Sequence, residues 1–428
     1  MTEFCIETYI NGLPENTEII NVTFKQLNYL PDLTRFTNLQ ILNCSNNQLV
    51  VLPSLNEHLQ ILDCSNNKLT ELPSLNEHLQ TLDCRDNKLT KLPSLNSNLD
   101  VLYCDTNQLV ALPSLNANLQ ILNCSNNQLV VLPSLNANLQ KIYCYNNQLV
   151  VLPSLNEHLH TLYCNTNQLI VLPSLNANLD TLCCDNNQLV SLPYLNANLR
   201  SLYCDNNQLV VLPSLNSNLK TLHCNNNQLV ALPSLNANLQ ILDCSNNQLV
   251  ALPSLNSNLK DLYCRHNYLT ELPSLNVALQ ILNCSNNQLV ALPSLNSNLD
   301  ILCCHDNQLV ALPSLNTNLD ILCCHDNHLT LLPPLNENLE TLFYDNNPIY
   351  QIIDSNNLFI INKKLKILHK FCYLYYCLKF KKQFRDLLWK KIREPKIMKN
   401  YHPSYLNKLL IDDAEGTEDI DMVLDNWF

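Results

Sequence analysis

Glycine is almost missing from this chain of 428 residues, which holds only Gly12 and Gly416. Tight turns usually draw on glycine for positive-φ positions, so a turn-rich fold must fill them with something else. Asparagine is abundant and tolerates the left-handed region. Basic residues are scarce over 1–350, where the acidic excess behind the net charge of −12 is concentrated. Nonspecific nucleic-acid binding depends on neutralising phosphates and is disfavoured for that part of the chain. Long apolar runs are also absent. No stretch approaches the roughly 18 uninterrupted apolar residues of a spanning helix. Met1–Asn11 has neither a basic leader nor an apolar core, so no signal peptide is expected.

What the chain has in quantity is repetition. From Leu39 the unit LQILNCSNNQLVVLPSLNEH recurs every 20 residues, sixteen times, through the unit that starts at Leu339. A repeat array lengthens one core rung by rung, so the chain length does not demand several cores. The organisation expected is therefore a capping segment over 1–38 with one degenerate repeat, sixteen repeats over 39–350, and a non-repeating segment over 351–428. In Leu42-Asn43-Cys44, strand alternation points Leu42 and Cys44 inward and Asn43 outward. Leu49, Leu52 and Leu55 are expected to fill the rest of the rung. Asn47 recurs in every unit, and a buried amide at a turn can bond its own and the adjacent rung as a ladder. Pro53 fixes φ and lacks an N–H, which favours an extended segment over a helix there.

Of the 21 cysteines, fifteen occupy one repeat position, from Cys44 to Cys324. That regularity points to packing, since free Cys behaves as a small buried hydrophobe. So many unpaired thiols suit a reducing compartment. Asn43, Asn123 and Asn283 match a loose glycosylation sequon, but they lie on the expected strand of a chain with no secretion signal.

The segment 351–428 has a different character. Leu365, Leu368, Phe371, Cys372, Tyr375 and Leu378 recur at helical spacing, as do Phe384, Leu387, Leu388 and Ile392. Pro395 is expected to end that helix, and a second is expected to start at Pro403, with Leu406, Leu409 and Leu410 on its apolar face. The block 361–408 is basic, with only Asp386 and Glu394 as acids, and the residues after it are acidic.

The pattern LxxLxCxxNxLxxLPxLxxx resembles the leucine-rich-repeat signature. Its Leu-Pro-x-Leu unit is similar to the short repeats of secreted bacterial effectors over about 39–350. The tail carries Phe384-Arg385-Asp386-Leu387-Leu388-Trp389, Arg393-Glu394-Pro395, Tyr401-His402-Pro403 and Leu424-Asp425-Asn426-Trp427. Those runs resemble the C-terminal segment of giant-virus proteins, and with the array the chain looks like a Mimivirus-type leucine-rich-repeat protein. The resemblance implies a leucine-rich-repeat solenoid with a curved parallel β-sheet on its concave face, an extended, polyproline-like convex side and a C-terminal helical cap. It also implies a location in the host cytoplasm during infection or in the virion, and not a secreted protein.

Binding in such an array is expected on the concave strand face, where only outward residues vary. An aromatic stripe with an acidic border stands out there: Tyr103, Tyr143, Tyr163, Tyr203, His223 and Tyr263 in one column, and Tyr145, Asp185 and Asp205 in the next. Tyr offers a large rigid contact area plus a hydroxyl, which makes it a favoured hot-spot residue. Cys303, His305, Cys323 and His325 form a second patch whose thiols and imidazoles suit tetrahedral zinc. The two rungs are nearly identical throughout, so duplication of one unit accounts for the patch equally well. Strand side chains also point apart, and the expectation is no metal and no cofactor.

The function expected is a non-catalytic protein-interaction scaffold, viral in origin, acting on a host or viral protein. Nucleic acid is not an expected partner. The alternative is an adaptor for ubiquitin-type machinery, or a ubiquitin ligase like those that similar bacterial effectors append. About 78 residues follow the array. Cys372 and Cys377 lie in a Tyr- and Leu-rich run with no acidic residue nearby to complete a thiolate-activating set, so no enzyme is expected.

Overall fold

The computed structural model describes residues 4–396. The chain divides into two compact units, Met1–Ile352 and Ile353–Phe428.

The first unit is one parallel sheet. Its strands are three residues long: β1 (Ile19–Asn21), β2 (Ile41–Asn43), and then one every 20 residues to β17 (Thr341–Phe343). Each pairs in register with the next, so that Leu42 lies over Leu62 and Leu62 over Leu82. The strand's middle residue is buried and its neighbours face outward, as alternation requires. Leu42, Leu49 and Cys44 are all buried. In the inner column Cys is a small buried apolar side chain that also serves as a weak donor. Cys64 Sγ donates to Asp83 O at 3.4 Å, and Cys144 Sγ to Tyr163 O at 3.4 Å. All 21 cysteines are free thiols, and burial pushes the Cys44 thiol up to about 12, so this column packs and does not react.

The turn after each strand depends on asparagine twice. Asn46 and its repeats hold the left-handed conformation, with φ of 57° at Asn46 and 53° at Asn66. This is the position that glycine would otherwise occupy. Asn47 and its repeats then bridge rungs. Asn67 Nδ2 donates to Cys44 O, Cys64 O and Ser65 O, each at 3.1 Å, and its Oδ1 accepts from Leu49 N at 3.0 Å.

The side of the rung away from the strand is extended, with only a short turn and no helix in the described repeats before the last. Leu55 and most of its counterparts are half-exposed, contrary to the expected core role. Asn56 is the inward residue at that corner, where its Nδ2 donates to Leu33 O at 2.8 Å and Phe36 O at 3.0 Å. Leu39, Leu59 and Leu79, which open each rung, are fully buried and supply the core contact that Leu55 does not. Asn116 Nδ2 continues the corner ladder to Asn96 O at 2.5 Å, and a third ladder runs from Asn118 Nδ2 to Ser97 O at 2.8 Å.

The N-terminal segment closes the first rung. Helix α1 (Ile6–Asn11) buries Ile6 and Ile10, and the degenerate repeat buries Ile20, Val22, Leu27, Leu30, Leu33 and Phe36. At the other end, Tyr344 replaces the inner Cys and is buried beside Tyr350, with ring centroids 5.1 Å apart.

Two further helices are α2 (Tyr350–Ile353) and α3 (Leu358–Leu388). Asn357 caps α3, its Oδ1 accepting from Phe359 N at 3.0 Å and Ile360 N at 3.3 Å. A π-turn follows over Trp389–Arg393, and the chain remains helical through Pro395, which was expected to end the helix. The wider turn just upstream relaxes the clash of the proline ring with the preceding carbonyls. Within α3 only Ile361 and Leu365 are buried, while Phe371, Tyr375 and Leu378 are exposed. The second expected helix, with Leu406, Leu409 and Leu410, lies outside the described residues. Among the described residues, no helix is long and apolar enough to cross a membrane.

Removing one amide from the inner ladder leaves several buried groups unpaired. Asn187 donates to Cys164 O, Cys184 O and Asp185 O and accepts from Leu169 N. Asn187→Ala is expected to cost about 3 kcal/mol, read by urea denaturation. A loss well below 1 kcal/mol would show that water replaces the ladder.

Thr106 and Thr166 hold the left-handed turn position at φ of 55°, where a β-branched side chain is strained. Thr106→Asn is expected to raise stability by about 1 kcal/mol in the same assay. No gain would show that the Thr hydroxyl compensates locally.

Candidate partner-binding face

The outward columns of the sheet are where the rungs differ. Residue 43 and its repeats form the first column, residue 45 and its repeats the second. The strands hold the first column at a fixed register, and the rung-to-rung backbone bonds just beyond them, such as Asn46 N to Ser65 O at 3.0 Å, hold the second, so neighbouring side chains meet directly. Tyr143 and Tyr163 do so, with ring centroids 5.3 Å apart and planes tilted by 34°. Tyr203 and His223 form a second pair at 5.0 Å.

The stripe is not continuous. Cys183 lies between the two pairs and is only 6% exposed. It is hydrogen-bonded to Tyr163, and burial together with that thiol pushes the Tyr163 phenol up to about 12. Asn123 separates Tyr103 from Tyr143, and Asp243 separates His223 from Tyr263. Tyr103 carries a cation instead of a second ring: the Arg85 guanidinium lies 5.1 Å from its centroid and also bonds Asp83 at 2.5 Å. The sequence reading missed that pairing, although Arg85 stands in the second column one rung before. Tyr145 lies half-buried in the second column.

Asp185 and Asp205 are turned partly inward. Asp185 Oδ1 accepts from Asp205 N at 2.9 Å, and Asp205 Oδ1 accepts from Asn225 N at 2.7 Å. The other oxygen of Asp205 lies 3.9 Å from His223 Nδ1. Burial, reinforced by the neighbouring Asp185 charge, raises Asp205 to about 7. Burial also raises Asp185. These acids are a structural ladder as much as a charged border.

The Cys303, His305, Cys323 and His325 patch separates into two halves. The thiols pair with each other: Cys323 donates to Cys303, which lowers Cys303 and raises Cys323. The imidazoles of His305 and His325 stack at 4.3 Å with planes 8° apart. The groups that converge are His305, Asp306 and His325, whose ligand atoms all lie within 4.8 Å of one another. Asp306 was not among the candidates, because it occupies the turn and not the strand; its φ of 52° brings it back beside His305.

A solenoid of 20-residue rungs, each a short parallel strand, an asparagine turn and an extended return, defines the leucine-rich-repeat class, and the chain belongs to it. Among solved structures it is similar to the leucine-rich effector YopM from Yersinia pestis, 33% identical with a TM-score of 0.66, over 79% of this chain and 91% of that one. It is also similar to YopM from Yersinia enterocolitica WA-314, 29% identical with a TM-score of 0.58, over 80% of this chain and 89% of that one. A leucine-rich-repeat protein from Leptospira interrogans is 25% identical with a TM-score of 0.58, over 82% of this chain and 98% of that one. No protein-family model matches the chain, and no curated protein matches its sequence.

The raised Asp205 sets a pH dependence. Its folded-state value of about 7 lies above the ordinary 3.8, so the folded chain holds the proton more tightly than the unfolded one. The resulting stability is full below the ordinary value and is lost as pH rises toward 7. Asp205→Asn keeps the acceptor for Asn225 N and removes the charge. Its melting temperature is expected to match the native chain at pH 4 and exceed it at pH 8. A difference independent of pH would show that Asp205 is ionised at no cost.

Proposed function

We propose that the chain is a non-catalytic protein-interaction scaffold whose strand face binds a protein partner through Tyr143, Tyr163, Tyr203 and His223, flanked by Tyr103, Tyr145 and Tyr263. The observation that carries this reading is the pair of ring contacts, Tyr143 with Tyr163 and Tyr203 with His223, on the variable face of an otherwise uniform array. Aromatic side chains fixed on strands lose little entropy on binding and bury large areas. The protonation-sensitive acids at Asp185 and Asp205 favour a partner whose apolar anchors are bordered by Lys or Arg.

The tail motifs support a giant-virus origin and an action on a host or viral protein, in the host cytoplasm or the virion. The similar effector structures support an interaction role over a catalytic one.

The test is a partner captured by the full chain from amoebal lysate and then titrated. Tyr143→Ala, Tyr163→Ala and Tyr203→Ala together are expected to weaken that binding by about 2 kcal/mol or more, with circular dichroism unchanged. Unchanged affinity would move the contact away from the stripe. Exposed aliphatic residues such as Val130, Val131, Val150, Val151, Ile170 and Val171 would then be the next surface to test.

A further inference from the structure

His305, Asp306 and His325 serve neither the core nor the aromatic stripe. We propose that they form a binding site for a divalent transition metal of the zinc class, on the strand face near the C-terminal end of the array. In-register strands β15 (Ile301–Cys303) and β16 (Ile321–Cys323) end two residues before the imidazoles and set them side by side. The turn residue Asp306 adds a carboxylate, its Oδ2 2.7 Å from His305 Nδ1. The three ligand atoms already lie within 4.8 Å of one another. Zinc takes nitrogen and oxygen donors at about 2.0–2.2 Å, so donors on one ion stand roughly 3–4 Å apart. Small side-chain rotations close that gap on a partly exposed face.

Two further observations favour a ligand here. His325 Nδ1 is buried without a hydrogen-bond partner, a state that native proteins rarely leave unanswered. The Asp326 carboxylate lies 3.8 Å from His325 Nε2, placed to orient that ring or to add a donor. Imidazole with carboxylate suits zinc, cobalt, nickel or copper, whereas calcium and magnesium prefer oxygen alone. The adjacent thiols of Cys303 and Cys323 are engaged with each other and stand outside the convergent set. The site is therefore an N/O site that shares His305 and His325 with the four-residue patch and replaces its thiols with Asp306.

Cobalt(II) reports the donor atoms directly. Titration of the full reduced chain is expected to show one equivalent bound, with visible d–d bands and no thiolate-to-cobalt charge transfer. His305→Asn with His325→Asn installs the residue that Asn165 and Asn225 already supply in this column, so the fold is kept. That pair is expected to weaken cobalt binding by about tenfold or more, and Cys303→Ser with Cys323→Ser to change it by less than about twofold. Asp306→Asn places at the turn the residue found at Asn286 and gives an independent reading, again with weakened binding expected. Strong thiolate charge transfer that disappears in the double-Ser variant would overturn the proposal in favour of the thiols. Unchanged affinity in the double-Asn variant would overturn it too, placing the ion at exposed thiols such as Cys5, Cys372 or Cys377. Failure to bind cobalt would do the same.

Discussion

The array rests on a backbone problem that one side chain solves. Each strand has only three residues, so the turn beyond it must satisfy its carbonyls by other means. The Asn47-type amide does this from inside the rung. It donates to carbonyls of two rungs and accepts an N–H from the preceding rung, as Asn87 does with Cys64 O, Cys84 O, Arg85 O and Leu69 N. Aspartate could not donate, and glutamine would reach past the carbonyls it must meet. With this amide in place the turn is fixed, and with it the inward directions of the Cys before it and the Leu after it.

The same accounting governs the outward face. Where the first outward column holds Asn or Asp, its carboxyl or amide oxygen accepts the N–H two residues on. Ser45 N to Asn43 Oδ1 at 3.1 Å and Ser65 N to Asp63 Oδ1 at 3.1 Å are examples. Tyr and His offer no such acceptor. At two of those rungs the preceding rung supplies one: Asp185 takes Asp205 N beside Tyr203, and Asp205 takes Asn225 N beside His223. At Tyr203 and His223, therefore, the ring in one column is coupled to an aspartate in the next. An unpaired N–H costs about 1–3 kcal/mol, enough to explain why Asp185 and Asp205 stand beside Tyr203 and His223 even though each ionises reluctantly where it sits.

This coupling also separates what the sequence discloses from what it hides. Period and alternation place Leu42 and Cys44 inside and the variable columns outside. The recurring Asn47 announces a ladder. Spacing alone could not rank the two asparagines of the turn, and it is Asn46, one residue earlier, that takes the positive φ. Nor could spacing show that Asn56 displaces Leu55 from the corner, because hydrophobicity favours Leu and the buried carbonyls that choose Asn come from the preceding rung. The candidate sites show the same limit. Contacts along one column, such as Tyr143 with Tyr163, were legible because register fixes them. Contacts that involve a turn residue or cross between columns, such as Asp306 with His305 or Arg85 with Tyr103, depend on backbone conformation and rotamers that a column of letters does not carry.

The strand face proposed for binding would gain affinity through rigidity. The rings stand on strands locked above and below by paired backbone and beneath by fully buried Leu and Cys, so the groups of the proposed face are already in place before any contact. The inner thiols add no reactivity, since burial raises Cys44 and its counterparts far above the range in which a thiolate attacks. Within the array, the groups that vary lie in the outward columns and the turns beside them. There the groups vary one rung at a time, and at Tyr203 and His223 the neighbouring rung supplies the hydrogen-bond acceptor that the outward side chain lacks.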